Sequence, residues 1–294
     1  WHDILIDLGQ KWNQATNGEV QVRIYPGGIL GDERDMVRKM RIGQIQAAAL
    51  STEGLSELAP EFSAFFLPLA YQDFDDINNV LADLLPGLSK EMENDGVKLL
   101  YVSDLSWAYW FSTEPIRVPG DLKDKKIFTW AGNYEYEKVY REAGYTVVPL
   151  AGTELLSGLQ TGLINTFSTV PLYALARQTF GIATHMLDMK WGLLLAGVVI
   201  DMKTWNRIPK KYHAGLIQVL DEIKERSVNV NRESELQAIE AMKQYGLHVH
   251  TLTPNEEQQW MKEVQRLGPI MRGNTISEQT FDRVMNILQV SQEE

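Results

Sequence analysis

Two histidines stand two residues apart in "HVH", His248 and His250. On a strand that spacing turns both imidazoles to one face, where they could ligate a metal if a carboxylate joined them. No third ligand follows nearby, so a surface strand is the favoured reading and no metal is implied. The glycines of "YPGGILGDE" (Gly27, Gly28, Gly31) fall between a strand pattern and a helix pattern, where a phosphate loop would lie. Their spacing matches neither GxGxxG nor GxxxxGK[ST], and Asp32 and Glu33 would repel a phosphate at the helix start, so a turn with an N-cap accounts for them. His2, His185 and His213 are scattered, and no GxSxG elbow accompanies them. Carboxylates are plentiful, but spacing singles out no glycosidase pair. The chain has no cysteine, which removes thiol chemistry and disulfides and suits an oxidising compartment. The enzyme signal of these residues is poor, and they call for no cofactor.

The elements that position these residues follow from periodicity. Residues 3 to 15 place Ile4, Leu8 and Trp12 at helical spacing, and "GEVQVRIYPGG" then alternates through Val20, Val22 and Ile24 as a strand ending at Pro26. Asp32 is read as the N-cap of a helix that has acids in its first turn, Lys39 and Arg41 in its last, and ends at Gly43. A strand from Ile45 to Leu50, the loop "STEGLSELAPE" and a helix around Asp75 to Leu85 come next. "VKLLYVS" and "YWFST" read as two strands, followed by the strand "KIFTW", a helix over 134 to 143, the strand "TVVPL", a helix over 153 to 162 and the strand "LINTF". Strands alternating with helices of this length describe α/β units around a mainly parallel sheet. From Lys210 to Tyr245 the apolar period continues without proline, predicting a helix roughly 50 Å long, enough to run along two lobes. With no low-complexity linker, any domain boundary is a strand crossing, which favours a hinge.

At 294 residues the chain is long enough for two cores of ordinary size. Its net charge of −11 and the absence of a basic stripe exclude nucleic acid as a partner, because "KDKK" (Lys123, Lys125 and Lys126 around Asp124) is interrupted by acids. The longest apolar run, "WGLLLAGVVI", is far short of the ~20 residues needed to span a bilayer and reads as a strand buried on both faces. The chain starts at Trp1 without an initiator Met, consistent with a signal peptide having been removed.

"GEVQVRIYPGGILGDERDMVRKMRIGQIQAA", "DLKDKKI" and "PLAGTELLSGLQTGLINTF" together resemble the extracytoplasmic solute-binding proteins of tripartite ATP-independent periplasmic (TRAP) transporters. "LPLAY", "TWNRIP" and "YGLHVHTL" fall in the same order, so the resemblance covers nearly the whole chain. It implies an α/β, two-lobed periplasmic-binding-protein architecture with hinge strands, a long helix spanning both lobes and a ligand cleft between them. It also implies a TRAP-type integral membrane permease as partner and a periplasmic or extracytoplasmic location, free or lipid-anchored. Lobe 1 is expected over 1–123 plus 204–247, and lobe 2 over 124–203 plus 248–294. One departure is at the start: the family opens with a strand before its first helix, whereas this chain begins almost in that helix.

The resemblance also locates the site. After "DLKGLK" the family usually carries an Arg whose guanidinium forks onto a substrate carboxylate, a geometry Lys does not supply. Here that position is Phe128. A second Arg position aligns with Ala108, between Trp107 and Tyr109; a frequent Asn aligns with Thr169; and Asn165 stands where an Asp is usual. An unpaired carboxylate in a dry cleft costs several kcal/mol, so a chain without these partners is expected to take an apolar, aromatic or neutral solute. Phe128 and Trp130 share a strand face, as do Trp107 and Tyr109. Trp191 is a further candidate wall, and Ser51, Thr52, Glu53 and Tyr134 are candidate hydrogen-bonding groups. One alternative is an organic acid held by a different cation such as Lys190; others are an enzyme on a two-lobed scaffold and a binding module without a transporter.

Overall fold

A computed structural model of the chain describes residues 1–293. Helix α1 (His2–Ala15) buries Ile4, Leu8 and Trp12. The segment read as a strand after it joins no ladder. At its start Val20 is tied to α1 and its C-cap instead: Asn13 donates to the Val20 carbonyl at 3.2 Å, and the Val20 amide donates to Thr16 Oγ1 at 3.0 Å. The alternation of Val20, Val22 and Ile24 thus marks a strap along α1.

Asp32 caps α2 (Glu33–Arg41), accepting from the Glu33 amide at 2.8 Å while Asp35 reaches back to the Asp32 amide. β1 (Ala47–Ser51) runs straight into the short α3 (Thr52–Ser56), and a 3-10 turn over Pro60–Phe66 precedes α4 (Phe74–Asn94). The two strands read as "VKLLYVS" and "YWFST" are one, β2 (Val97–Ser112). Then come β3 (Lys126–Trp130), α5 (Tyr134–Glu142), β4 (Thr146–Leu150), α6 (Leu155–Gln160), β5 (Thr166–Thr169), α7 (Pro171–Ala176) and β6 (His185–Leu187). The chain continues through β7 (Gly192–Asp201), α8 (Met202–Arg207), α9 (Lys210–Gln244), β8 (His248–His250), α10 (Pro254–Met271) and α11 (Glu278–Glu293).

The strands follow the order β1-β7-β2-β5-β3-β4, with β6 on β2 and β8 on β6. β1, β7 and the first part of β2 pair antiparallel; from Tyr109 onward β2 pairs with β5, and β3 lies parallel to both β4 and β5. β2 therefore belongs to both lobes. Its pairing with β7 is irregular between Asp104 and Ser106, beside the change of partner.

These crossings differ from the boundaries expected from sequence. Residues 109–112 join the second-lobe sheet, and β7 pairs in the first. In the C-terminal segment α10 packs on α5, but α11 lies on α4 of the first lobe, where Arg283 pairs with Asp83 and the Ser277 amide donates to Glu61 at 3.2 Å.

The single long helix is present as α9. Its buried stripe is apolar at Leu216, Leu220 and Ile223, polar at Ser227, Asn231 and Glu235, and apolar again at Ala238 and Met242. The polar middle meets β2 at its irregularity. Asn231 donates to the Asp104 carbonyl and Arg232 to the Asp104 carboxylate, both at 2.8 Å. Glu235 accepts from Ser106 Oγ, from the Trp107 amide at 3.0 Å and from the Tyr109 hydroxyl at 2.9 Å. Backbone groups that a break in the ladder would orphan are costly when buried, and here α9 supplies their partners.

Candidate functional site

Strand register decides which predicted residues can meet. Tyr109 pairs with Thr169, and Ile127 with Thr166. Side chains alternate along each strand and match across each pair, so Tyr109, Thr169, Phe128 and Trp130 share one face of the second-lobe sheet. Phe128 is 7% exposed and meets the partly buried Trp130 edge to face, with ring centroids 5.3 Å apart.

Several expected site residues lie elsewhere. Ala108 projects from the opposite face to Phe128, so the two positions aligned with the family's arginines do not converge through this register. Trp107 is turned to the hinge, 5.6 Å from the Phe74 ring. Lys190 is exposed, its ammonium 4.8 Å from the Trp107 ring. Trp191 is buried in the second lobe between Trp110 and Trp260, at 5.4 and 5.6 Å, and is core rather than cleft wall. Tyr134 is 71% exposed at the start of α5. The Tyr109 hydroxyl is taken by Glu235 of α9.

The three candidates after β1 have distinct tasks. Ser51 caps α3 and donates its hydroxyl to Glu33 at 2.9 Å. Thr52 is buried and accepts from the Leu195 amide at 2.7 Å, fixing α3 on β7. Glu53 reaches the other lobe, where Asn133 Nδ2 lies 2.9 and 3.2 Å from its two oxygens.

Among the described residues that contact is one of four side-chain hydrogen-bonded contacts across the cleft. Arg34 donates to the Ala131 carbonyl at 3.2 Å, the Gly152 amide donates to Asp32 at 3.2 Å, and the Tyr136 hydroxyl donates to the Phe66 carbonyl at 3.4 Å. Arg34 also pairs with Glu57. Its guanidinium fills the space above Gly132, whose φ of +91° suits glycine. The cleft is thus built from the starts of α2 and α3 on one side and the ends of β3 and β4 on the other. Sequence reasoning recognised Asp32 only as a cap and missed Arg34, Asn133, Tyr136 and Gly152 as interlobe groups.

The cleft is rich in carboxylates. Glu33 Oε2 accepts from the Ser51 amide and hydroxyl, both at 2.9 Å, and from the Gly54 amide at 2.8 Å. Burial outweighs these bonds and pushes the Glu33 carboxyl up to about 7. Burial likewise pushes Glu53 up to about 8, against the lowering effects of Asn133 and Arg34.

Away from the cleft, His185 joins the HVH pair. Its Nδ1 lies 2.8 Å from His250 Nε2, and its ring stacks on those of His248 and His250. Among the described residues no group has the arrangement to hold a metal ion.

Two α/β lobes joined by a continuous crossing strand, with a helix along both and polar groups meeting across the gap, define a two-lobed solute-binding protein. Residues 1–271 match the family model for bacterial extracellular solute-binding protein, family 7, and the chain belongs to that family. It is similar to the C4-dicarboxylate-binding periplasmic protein DctP of Vibrio cholerae, 25% identical over 260 residues that cover 86% of this chain and 76% of that protein. The ectoine-binding periplasmic protein TeaA of Halomonas elongata is 29% identical over 172 residues, 54% of this chain and 49% of its own. A TRAP periplasmic solute-binding protein from Sulfurospirillum deleyianum, solved with bound succinate, shares the fold with a TM-score of 0.87 at 22% identity, over 97% of this chain and 94% of that one. The family comprises periplasmic solute-binding transport proteins, not enzymes, which work with TRAP membrane permeases. Among the described residues no helix is long and apolar enough to cross a membrane.

Proposed function

We propose that this chain captures an aromatic, apolar or neutral solute in the interlobe cleft and delivers it to a TRAP-type permease. The observation that carries the solute class is the ring pair Phe128 and Trp130, standing where the resemblance places a carboxylate-binding arginine. Supporting it, Arg34 is committed to Glu57 and the Ala131 carbonyl, and the Arg177 guanidinium lies over the Tyr173 ring, 5.5 Å from its centroid. This distinguishes the chain from relatives named for C4-dicarboxylates and from structural neighbours solved with succinate or β-D-galacturonate.

Native mass spectrometry of the purified protein, followed by identification of the released small molecule, tests the reading. A neutral or aromatic solute supports it, and succinate or a uronate bound at one equivalent overturns it.

A further inference from the structure

Three carboxylates stand at the cleft on the first-lobe side, and their partners differ. Asp32 is used by the Glu33 and Gly152 amides. Glu33 holds three donors on one oxygen. Glu53 has only the amide group of Asn133 within side-chain hydrogen-bond reach among the described residues, and no Lys or Arg within ion-pair distance. A carboxylate offers about four acceptor sites, so Glu53 retains capacity that the protein does not fill. Asn133 also orients the neighbouring ring: its Oδ1 accepts from the Tyr136 amide at 3.2 Å, and the Tyr136 ring meets Phe66 edge to face at 6.1 Å.

Resting on the reading above, in which the solute is not an acid, we propose that the solute carries an N–H-bearing cation, an ammonium or amidinium group, which pairs with Glu53 as the lobes close. Such a group meets a carboxylate on one side and aromatic faces on the other, both attractive to a desolvated cation. Burial disfavours the charged form of this carboxylate, as it does that of Glu33. Glu53 is faced by Glu33 and Arg34 of α2, Glu57 after α3 and Tyr136 of α5. The cation therefore binds ionised Glu53 and displaces its proton, and affinity rises with pH between about 6 and 8.

The test is calorimetry with phenethylamine, 3-phenylpropionamide and 3-phenylpropionate, a series close in shape and differing in charge, on the full chain and on Glu53→Gln. The amine is expected to bind best, with proton release measured across buffers of different ionisation enthalpy. Glu53→Gln is expected to weaken it about thirtyfold or more while leaving the amide unchanged. If the amide binds as well as the amine and ignores the substitution, this inference fails and the proposed function stands. If the carboxylate binds best, with affinity falling as pH rises because protonated Glu53 donates to it, both fail. If the amine does not bind at all, the inference is likewise overturned.

Discussion

The indole of Trp130 lies against the backbone of Gly152 so closely that a Cβ at position 152 would sit 2.1 Å from the ring. Two loops of the second lobe are fitted together there, at the end of β3 and just after β4, and the Gly152 amide is one of the groups that reaches Asp32 in the first lobe. Gly152→Ala is therefore expected to displace Trp130, destabilising the protein by about 1–3 kcal/mol and weakening solute binding further than that loss explains. Urea unfolding beside calorimetric titration separates the two effects, and unchanged affinity would count against Trp130 as a cleft ring.

Phe128 is the neighbour of Trp130 on the same face of β3, its ring edge to face with the indole. Phe128→Ala is expected to cost roughly 2–4 kcal/mol of stability or binding, read from denaturant midpoints and solute affinity. Phe128→Arg alone is expected not to create succinate binding, because Ala108 projects from the other face and Thr169 supplies no charge. Micromolar succinate affinity in that variant would contradict this account.

Arg34 and Gly132 act as a clasp between the lobes. Removing the guanidinium in Arg34→Ala, or obstructing its seat in Gly132→Ala, is expected to raise the open population. The glycine variant also carries about 1 kcal/mol or more of backbone strain from its positive φ. Small-angle scattering would register the change as a larger radius of gyration at saturating solute; an unchanged curve for both variants would remove the clasp.

Glu235 joins α9 to β2 through three donors, two of them from consecutive residues. Glu235→Ala leaves the Trp107 amide and the Tyr109 hydroxyl without this acceptor and is expected to destabilise the chain by about 2–4 kcal/mol, whereas Glu235→Gln, which keeps the acceptor oxygen, is expected to lose less. Chemical denaturation of the pair checks the order.

The two raised cleft carboxyls give a pH dependence of definite sign. Because Glu33 and Glu53 titrate higher in the folded protein, at about 7 and about 8, than their ordinary value of 4.5, the native state holds more protons across that interval. Their contribution is present in full below about 4.5 and is lost as pH rises toward 7 to 8, levelling off above. The melting temperature of the wild type relative to the Glu33→Gln, Glu53→Gln double variant should fall over that window. A difference that rises instead would show that the two carboxylates ionise readily in the closed cleft.

Much of the architecture was legible in the chain itself. Local signals such as the 3.6-residue stripe of α9, the Asp32 cap and the apolar run of β7 report on backbone conformation within a few residues, and the ordered motifs from "YPGGILGDE" to "YGLHVHTL" carried the family. What the linear pattern did not contain was which alternating face meets which. Trp107 and Tyr109 share a face, yet one is turned to Phe74 and the other is bonded to Glu235, while the register of β2, β5 and β3 separates Ala108 from Phe128. Val20 to Ile24 had the period of a strand and no ladder to join. Asn133 and Arg34 look like ordinary surface polar residues until the lobes meet, because hydrogen bonds between residues about a hundred positions apart exist only in the folded chain. Residue types and their local periods determined the elements and the kind of protein; long-range pairing and lobe closure alone decided which side chains line the cleft.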